Sequence, residues 1–261
     1  MMMQQQLPIF VEDWFAWTPG LETRAAWRAW AGLPGDGQAR DTDGLGTLPM
    51  MLRRRIDSFG QKVIGAALAC DDIRTTRYIF ASRHGEFART LRILGDLAER
   101  QPPSPADFSL SIHHALAGLL SIHTGNKAGH TTISAGHDTF GFALLEAVAN
   151  LAANPDEAVL LVCYDEPLSG DYRHFEEGPA TAAPLIVALK LSRRLGDAQA
   201  GDAQIGDARP LHISAVTSEA APDTDVARNN AIEDFLKFLL SGRDAGSSAG
   251  ERMTWRWQRA A

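Results

Sequence analysis

Two runs in the chain, 157–164 (EAVLLVCY) and 184–192 (PLIVALKLS), are apolar almost without interruption. A strand buried on both faces reads this way, because both of its side-chain directions meet core. Shorter strand patterns lie at 7–14, with Pro8 near the start where proline is tolerated, and at 77–82. Helical spacing separates them. Ala26, Trp27 and Trp30 mark a helix over 22–31, and Ile56, Phe59, Val63, Ala66, Ala67 and Cys70 mark one over 49–72. The strand at 77–82 is expected to form a parallel β-α-β unit with the first strand. A further helix over 87–100 ends at the proline-rich connector 101–105.

The most informative stretch is 108–146. It predicts a helix over 108–122, a Gly125-Asn126-Lys127 turn, a short strand over 131–134, a bend at Ala135-Gly136-His137, and a second helix. Ala117 and Gly118 let another backbone approach the first helix closely. Asp138 and Thr139 are candidate caps of the second helix, with Phe142, Leu145, Ala149 and Leu151 as its apolar face. A strand-to-helix elbow is where acyl-transfer enzymes place a nucleophile, since the helix N-terminus lowers a thiol pKa and favours an oxyanion. This elbow carries Gly136 at its corner, with neither Cys nor Ser there.

Beyond 192 the pattern changes. Over 193–210 a Gly-Asp-Ala unit recurs at five-residue spacing, which buries nothing and predicts a flexible loop. A strand (211–216), a helix (225–241) and a last strand with alternating Trp255 and Trp257 then form a short α/β appendage. The segments 33–47 and 165–179 read as loops, and 1–6 as a frayed terminus.

Composition narrows the function. A chain of 261 residues with 45% apolar content can bury one sizeable core plus an appendage. A net charge of −7, with Arg53-Arg54-Arg55 the one basic stripe, argues against a nucleic-acid partner. Cys70 and Cys163, in apolar contexts, are expected to be buried free thiols. No tripartite leader or membrane-length apolar run appears, so the expectation is a cytoplasmic protein with no membrane association.

Three constellations could carry chemistry. His123, His130 and His137 recur every seven residues, but the turn at 125–129 breaks any common helix, so no metal site is expected. Ser82 and His84 sit two apart at a strand end and read as a turn. Ser134, His137 and Asp138 are triad residue types crowded across one bend, which leaves a stand-alone acyl-thioester hydrolase or acyltransferase using His137 as an alternative.

The central stretch resembles β-ketoacyl synthases between their dimer-interface helix and nucleophile elbow. Their elbow pattern, Ser/Thr-Ala-Cys-small-Ser, falls on Ser134-Ala135-Gly136-His137-Asp138, with Gly136 at the cysteine column. The upstream pattern Asn-x-x-Ala-Gly-x-x-Ser-Ile falls on 114–122, followed by Gly125 and Gly129. More narrowly, the chain is similar to the short, truncated chain-length factors found beside true ketosynthases in pathways such as aryl-polyene synthesis.

That resemblance implies an α/β, thiolase-like fold over 1–192: a five-stranded mixed sheet with helices on both faces, without the second half that carries the catalytic histidines. It also implies a non-catalytic subunit with no cofactor, paired with a catalytic ketosynthase and visited by its acyl carrier protein. Ile112, His113, His114, Leu116, Leu119 and Leu120 would then lie at the interface or the end of the acyl tunnel, where bulk limits chain growth.

Overall fold

The computed structural model describes residues 7–33, 44–168, 170–175, 183–194, 209–217 and 230–260. The expected frayed terminus, the Gly-Asp-Ala repeat, most of the 33–47 loop, parts of the 165–179 excursion and the first residues of the 225–241 helix lie outside these ranges.

A five-stranded mixed sheet forms the centre. Its strands are β1 (Phe10–Trp17), β2 (Arg77–Ala81), β3 (His130–Ile133), β4 (Val159–Asp165) and β5 (Leu185–Ser192), in the order β1-β5-β4-β2-β3. The first two strands run parallel, as expected, but not as neighbours, since β5 and β4 lie between them. β1 lies at the far edge, antiparallel to β5, while β2 runs parallel to both β3 and β4. The full burial of β5 explains its unbroken apolar run: Val187 and Leu189 point into one core cluster, Ile186 and Ala188 into the other.

Helices cover both faces. The cluster on one side includes residues of α3 (Ser58–Leu68) and α6 (Ala115–Thr124); on the other side it includes residues of α7 (Thr139–Ala153) and α8 (Ala231–Ser241). α1 (Arg24–Trp30) adds Trp27 beside α8, and α4 (Phe87–Ala98) follows β2.

Two helices expected as single pieces are divided, each by a local hydrogen bond. The 49–72 helix splits into α2 (Met50–Arg53) and α3, because extended Asp57 caps the second piece through Gly60 N at 2.7 Å. The 108–122 helix is α5 (Pro105–Leu110) and α6. The Ser109 and Ser111 hydroxyls donate back to the Pro105 and Phe108 carbonyls, competing with helix continuation. Ile112, His113 and His114 therefore occupy a turn.

α7 is rotated from expectation. It buries Phe140, Ala143, Leu144, Ala147 and Leu151, while Leu145 and Ala149 are exposed. A helix this uniformly apolar carries no unambiguous stripe, so packing alone sets its phase.

The C-terminal segment gains an unexpected strand. β7 (Ala245–Ala249) and β8 (Met253–Arg259) form a hairpin that joins β6 (Leu211–Thr217) in the order β6-β8-β7. This is no detached appendage. Trp255, Trp257, Phe235 and Leu239 belong to the same cluster as Trp14, Leu161 and Leu189. Phe140 meets Phe235 edge-on with centroids 5.4 Å apart, and Gly141 is required because a Cβ there would overlap the Trp255 indole. Ile9 and Leu211 exchange backbone hydrogen bonds of 3.0 and 2.7 Å, tying β6 to the start of the chain.

Candidate functional site: the elbow cleft and the open sheet edge

β3 delivers the chain to the elbow and α7 carries it away. Between them Gly136 has φ +61°, the left-handed region that glycine adopts without strain. Thr139 locks the bend: its hydroxyl donates to Gly136 O at 2.7 Å and accepts from Ala135 N at 3.0 Å. Asp138 caps nothing on its own helix. Fully buried, its carboxylate accepts from Trp255 Nε1 at 2.9 Å and Arg252 N at 2.8 Å, so it anchors the β7–β8 turn against the elbow. Glu251 of that turn lies beside the corner, 2.9 Å from where a Cβ on Gly136 would stand.

A cleft of about 90 Å³ opens next to this corner, lined among others by Arg83, His84, His137, Cys163, Asp165 and Glu166. That is small beside the roughly 300–1,000 Å³ of typical small-molecule sites. Asp165, at the end of β4, accepts from Ser82 Oγ, Arg83 N and His84 N, confirming the turn reading of Ser82 and His84. Burial nevertheless pushes its pKa up to about 6. The His84 pKa falls to about 4, from burial first and then from Arg83, His137 and His113. Burial, followed by Asp165, holds the Cys163 thiol well above its ordinary range, so it supplies little thiolate. Cys70 and Cys163 are both free and buried.

The triad residue types do not converge. Ser134 Oγ donates to Arg83 O at 3.2 Å, the Asp138 carboxylate turns to Trp255, and His137 Nδ1 faces Arg83 Nη1 at 3.3 Å. A nucleophile, base and acid in series are absent from this bend, which removes the geometric basis for a hydrolase there. Among the described residues no group of three or more His, Cys, Asp or Glu could hold a metal ion.

The six interface or tunnel candidates divide by burial. Leu116, Leu119 and Leu120 are buried in the cluster with α3 and the sheet, so their side chains serve this chain's own core. Ile112 and His114 are exposed and His113 is half-buried. The neighbouring outward apolar residues are Phe108 and Ile122, at 66% and 77% exposure. The His114 ring lies 6.0 Å from that of His130 on β3, placing the start of α6 beside the sheet edge. Among the described residues β3 pairs only with β2, which leaves its other edge open. Arg83, Asp165, Glu166 and Glu251 went unread in the sequence. Arg83 adjoins His84, but nothing local in sequence brings β4 or the β7–β8 turn to the elbow.

A thiolase-like ketosynthase fold accounts for this sheet, its two helical layers and the elbow. The family model for the β-ketoacyl synthase N-terminal domain matches residues 27–258, and the chain belongs to that family. Among solved structures, it is similar to a chain of the ketosynthase ApeO in complex with its chain length factor ApeC from Xenorhabdus doucetiae. Identity is 27% and the TM-score 0.75, over 97% of this chain and 100% of that one. The ishigamide ketosynthase/chain length factor matches at 12% identity and a TM-score of 0.65, over 97% and 100% of the two chains. A chain of the type II polyketide acyl-carrier protein–ketosynthase complex AntDE:AntF matches at 13% identity with the same TM-score, over 98% and 100%. No curated protein matches by sequence. No helix among the described residues is long and apolar enough to cross a membrane.

Proposed function

We propose that this chain is a non-catalytic, chain-length-factor-like subunit that pairs with a β-ketoacyl-carrier-protein synthase and helps shape or close its acyl tunnel. The observation that carries the reading is Gly136: the elbow keeps its sharp geometry but presents no atom that could be acylated. The likeness to a ketosynthase–chain length factor complex over the full length of the matched chain supports the same role. The docking surface proposed is the open β3 edge together with the exposed Phe108, Ile112 and Ile122. An unpaired strand edge beside exposed apolar side chains is an aggregation liability unless a partner covers it. Leu116, Leu119 and Leu120 back that surface from inside and set its shape.

A second surface suits the acyl carrier protein. On α2 and just after it, Met50 and Met51 are exposed beside Arg53, Arg54 and Arg55, none of which forms an ion pair with a described residue. Leu52 and Ile56 anchor this knob in the core. On a chain of net charge −7, three unpaired arginines form a local attractor for an acidic protein. Polyketide, aryl-polyene and fatty-acid-type chains are all compatible substrates of the pair.

The test is co-expression with the ketosynthase encoded nearest to this chain, followed by size exclusion with mass detection. A one-to-one complex, inactive without the ketosynthase, is expected. A monomer or homodimer that ignores the ketosynthase would overturn the proposal.

A further inference from the structure

The β3 strand at the open sheet edge has bases against both of its faces. His130 lies opposite Tyr78, a member of the cluster on the α6 side, and its ring stands 6.0 Å from that of His114 at the head of α6. Thr131 lies opposite Ile79, on the α7 side, and there Arg77 reaches across from β2. The Arg77 guanidinium makes two long bonds of 3.4 Å, to Ala128 O and Thr131 Oγ1, and its Nε is buried with no hydrogen-bond partner among the described residues. None of the three bases forms an ion pair with a described residue. The other titratable groups packed on β3 are engaged elsewhere: the Tyr78 hydroxyl meets Ile73 O and Thr124, and Glu146 of α7 accepts from Asn150 at 2.9 Å. Burial first, then His114 and Arg77, lower the His130 pKa.

Given the ketosynthase pairing proposed above, on which this rests, we propose that these bases select the partner: a ketosynthase surface that brings a carboxylate to the β3 edge, in preference to a second copy of this chain. An edge strand exposes amide and carbonyl groups that a second copy could pair with equally well. Self-pairing would bring two sets of His114, His130 and Arg77 to one seam with no acid between them, and like charges there oppose association. A partner carboxylate instead gives the Arg77 guanidinium a charged acceptor and favours the charged imidazole. His130, whose proton is held off in the free chain, takes one up on pairing, so affinity rises as pH falls through the histidine range.

The experiment measures the Kd between the purified full-length chain and the ketosynthase encoded nearest to it, by calorimetric titration from pH 8 to pH 6 at constant ionic strength. Sedimentation equilibrium follows self-association of the chain alone over the same range. Pairing is expected to tighten about tenfold from pH 8 to pH 6, while the chain alone stays monomeric. His114→Gln and His130→Gln together should flatten the pH profile. Arg77→Gln should weaken pairing about tenfold at every pH and keep the slope; unchanged thermal midpoints show that these variants fold. A flat profile in the parent, or a slope that survives the double histidine substitution, would overturn the role of these bases and leave the pairing standing. A homodimer as tight as the ketosynthase complex would overturn the selectivity. No complex at any pH would overturn the pairing itself, and the selectivity falls with it.

Discussion

Trp255 donates its indole N–H to Asp138 at 2.9 Å, joining the last strand to the elbow across 117 positions of sequence. The carboxylate is fully buried, and its second oxygen accepts from Arg252 N. Asp138→Ala would strand a buried indole N–H and loosen the β7–β8 turn. Losing a charged acceptor of this kind costs about 2–4 kcal/mol. Urea denaturation should show that loss, whereas Glu251→Ala in the same turn, on an exposed side chain, should stay within about 0.5 kcal/mol. Equal effects from the two would remove Asp138 from its anchoring role.

Gly136→Cys tests whether the missing nucleophile is the only thing lost. At φ +61° a side chain costs roughly 1–2 kcal/mol, and its Cβ would press on Glu251, which is exposed and can yield. The variant should therefore fold, and its thiol should react with iodoacetamide. Incubated alone with acyl- and malonyl-carrier protein it should release no condensation product, because among the described residues no base and acid stand in series at this bend to serve the new thiol. Turnover by this variant in isolation would refute the non-catalytic reading.

Much of this was legible in the sequence, and the failures have a common form. The buried runs of β4 and β5, the elbow and its glycine corner all follow from local pattern. The phase of α7 does not, because a helix of mostly apolar residues offers no polar stripe to orient it. β7, with the sequence AGSSA, has no apolar signal of its own and exists by pairing with β8. The buried Arg24–Asp13 ion pair at 3.1 Å was equally hidden, joining residues whose isolated sequence context suggests exposure. The elbow cleft draws its wall from β4 and the start of α8, so only Gly136 and its neighbours could be read in advance.

Glu86 makes stability depend on pH. Its pKa is raised from an ordinary 4.5 to about 7, by burial first and then by the nearby Asp57 carboxylate. The folded chain thus holds a proton that the unfolded chain releases. Stability is highest below the unfolded pKa, falls as pH rises through the window from about 4.5 to 7, and levels off above it. Asp165, raised to about 6, acts in the same direction over a lower window. Glu86→Gln should be more stable than the parent at pH 8 and should lose the slope between pH 6 and 7.5, read from urea midpoints. An unchanged slope would show that Glu86 is not its source.

Ile122 and Leu120 stand two residues apart on α6 with opposite environments, and their substitution separates pairing from folding. Ile122 is 77% exposed, whereas Leu120 is fully buried in the cluster with α3 and the sheet. Ile122→Asp should change the stability of the isolated chain by no more than about 0.5 kcal/mol, yet place a charge in the proposed interface, where an unpaired buried carboxylate is costly. Co-purification with the ketosynthase should fall sharply while the thermal midpoint holds. Leu120→Ala should do the reverse, costing about 2–5 kcal/mol of stability through an unfilled cavity, with pairing retained below the melting temperature. If Ile122→Asp leaves a one-to-one complex at undiminished yield, this face of α6 does not meet the ketosynthase, and the β3 edge would have to pair without it.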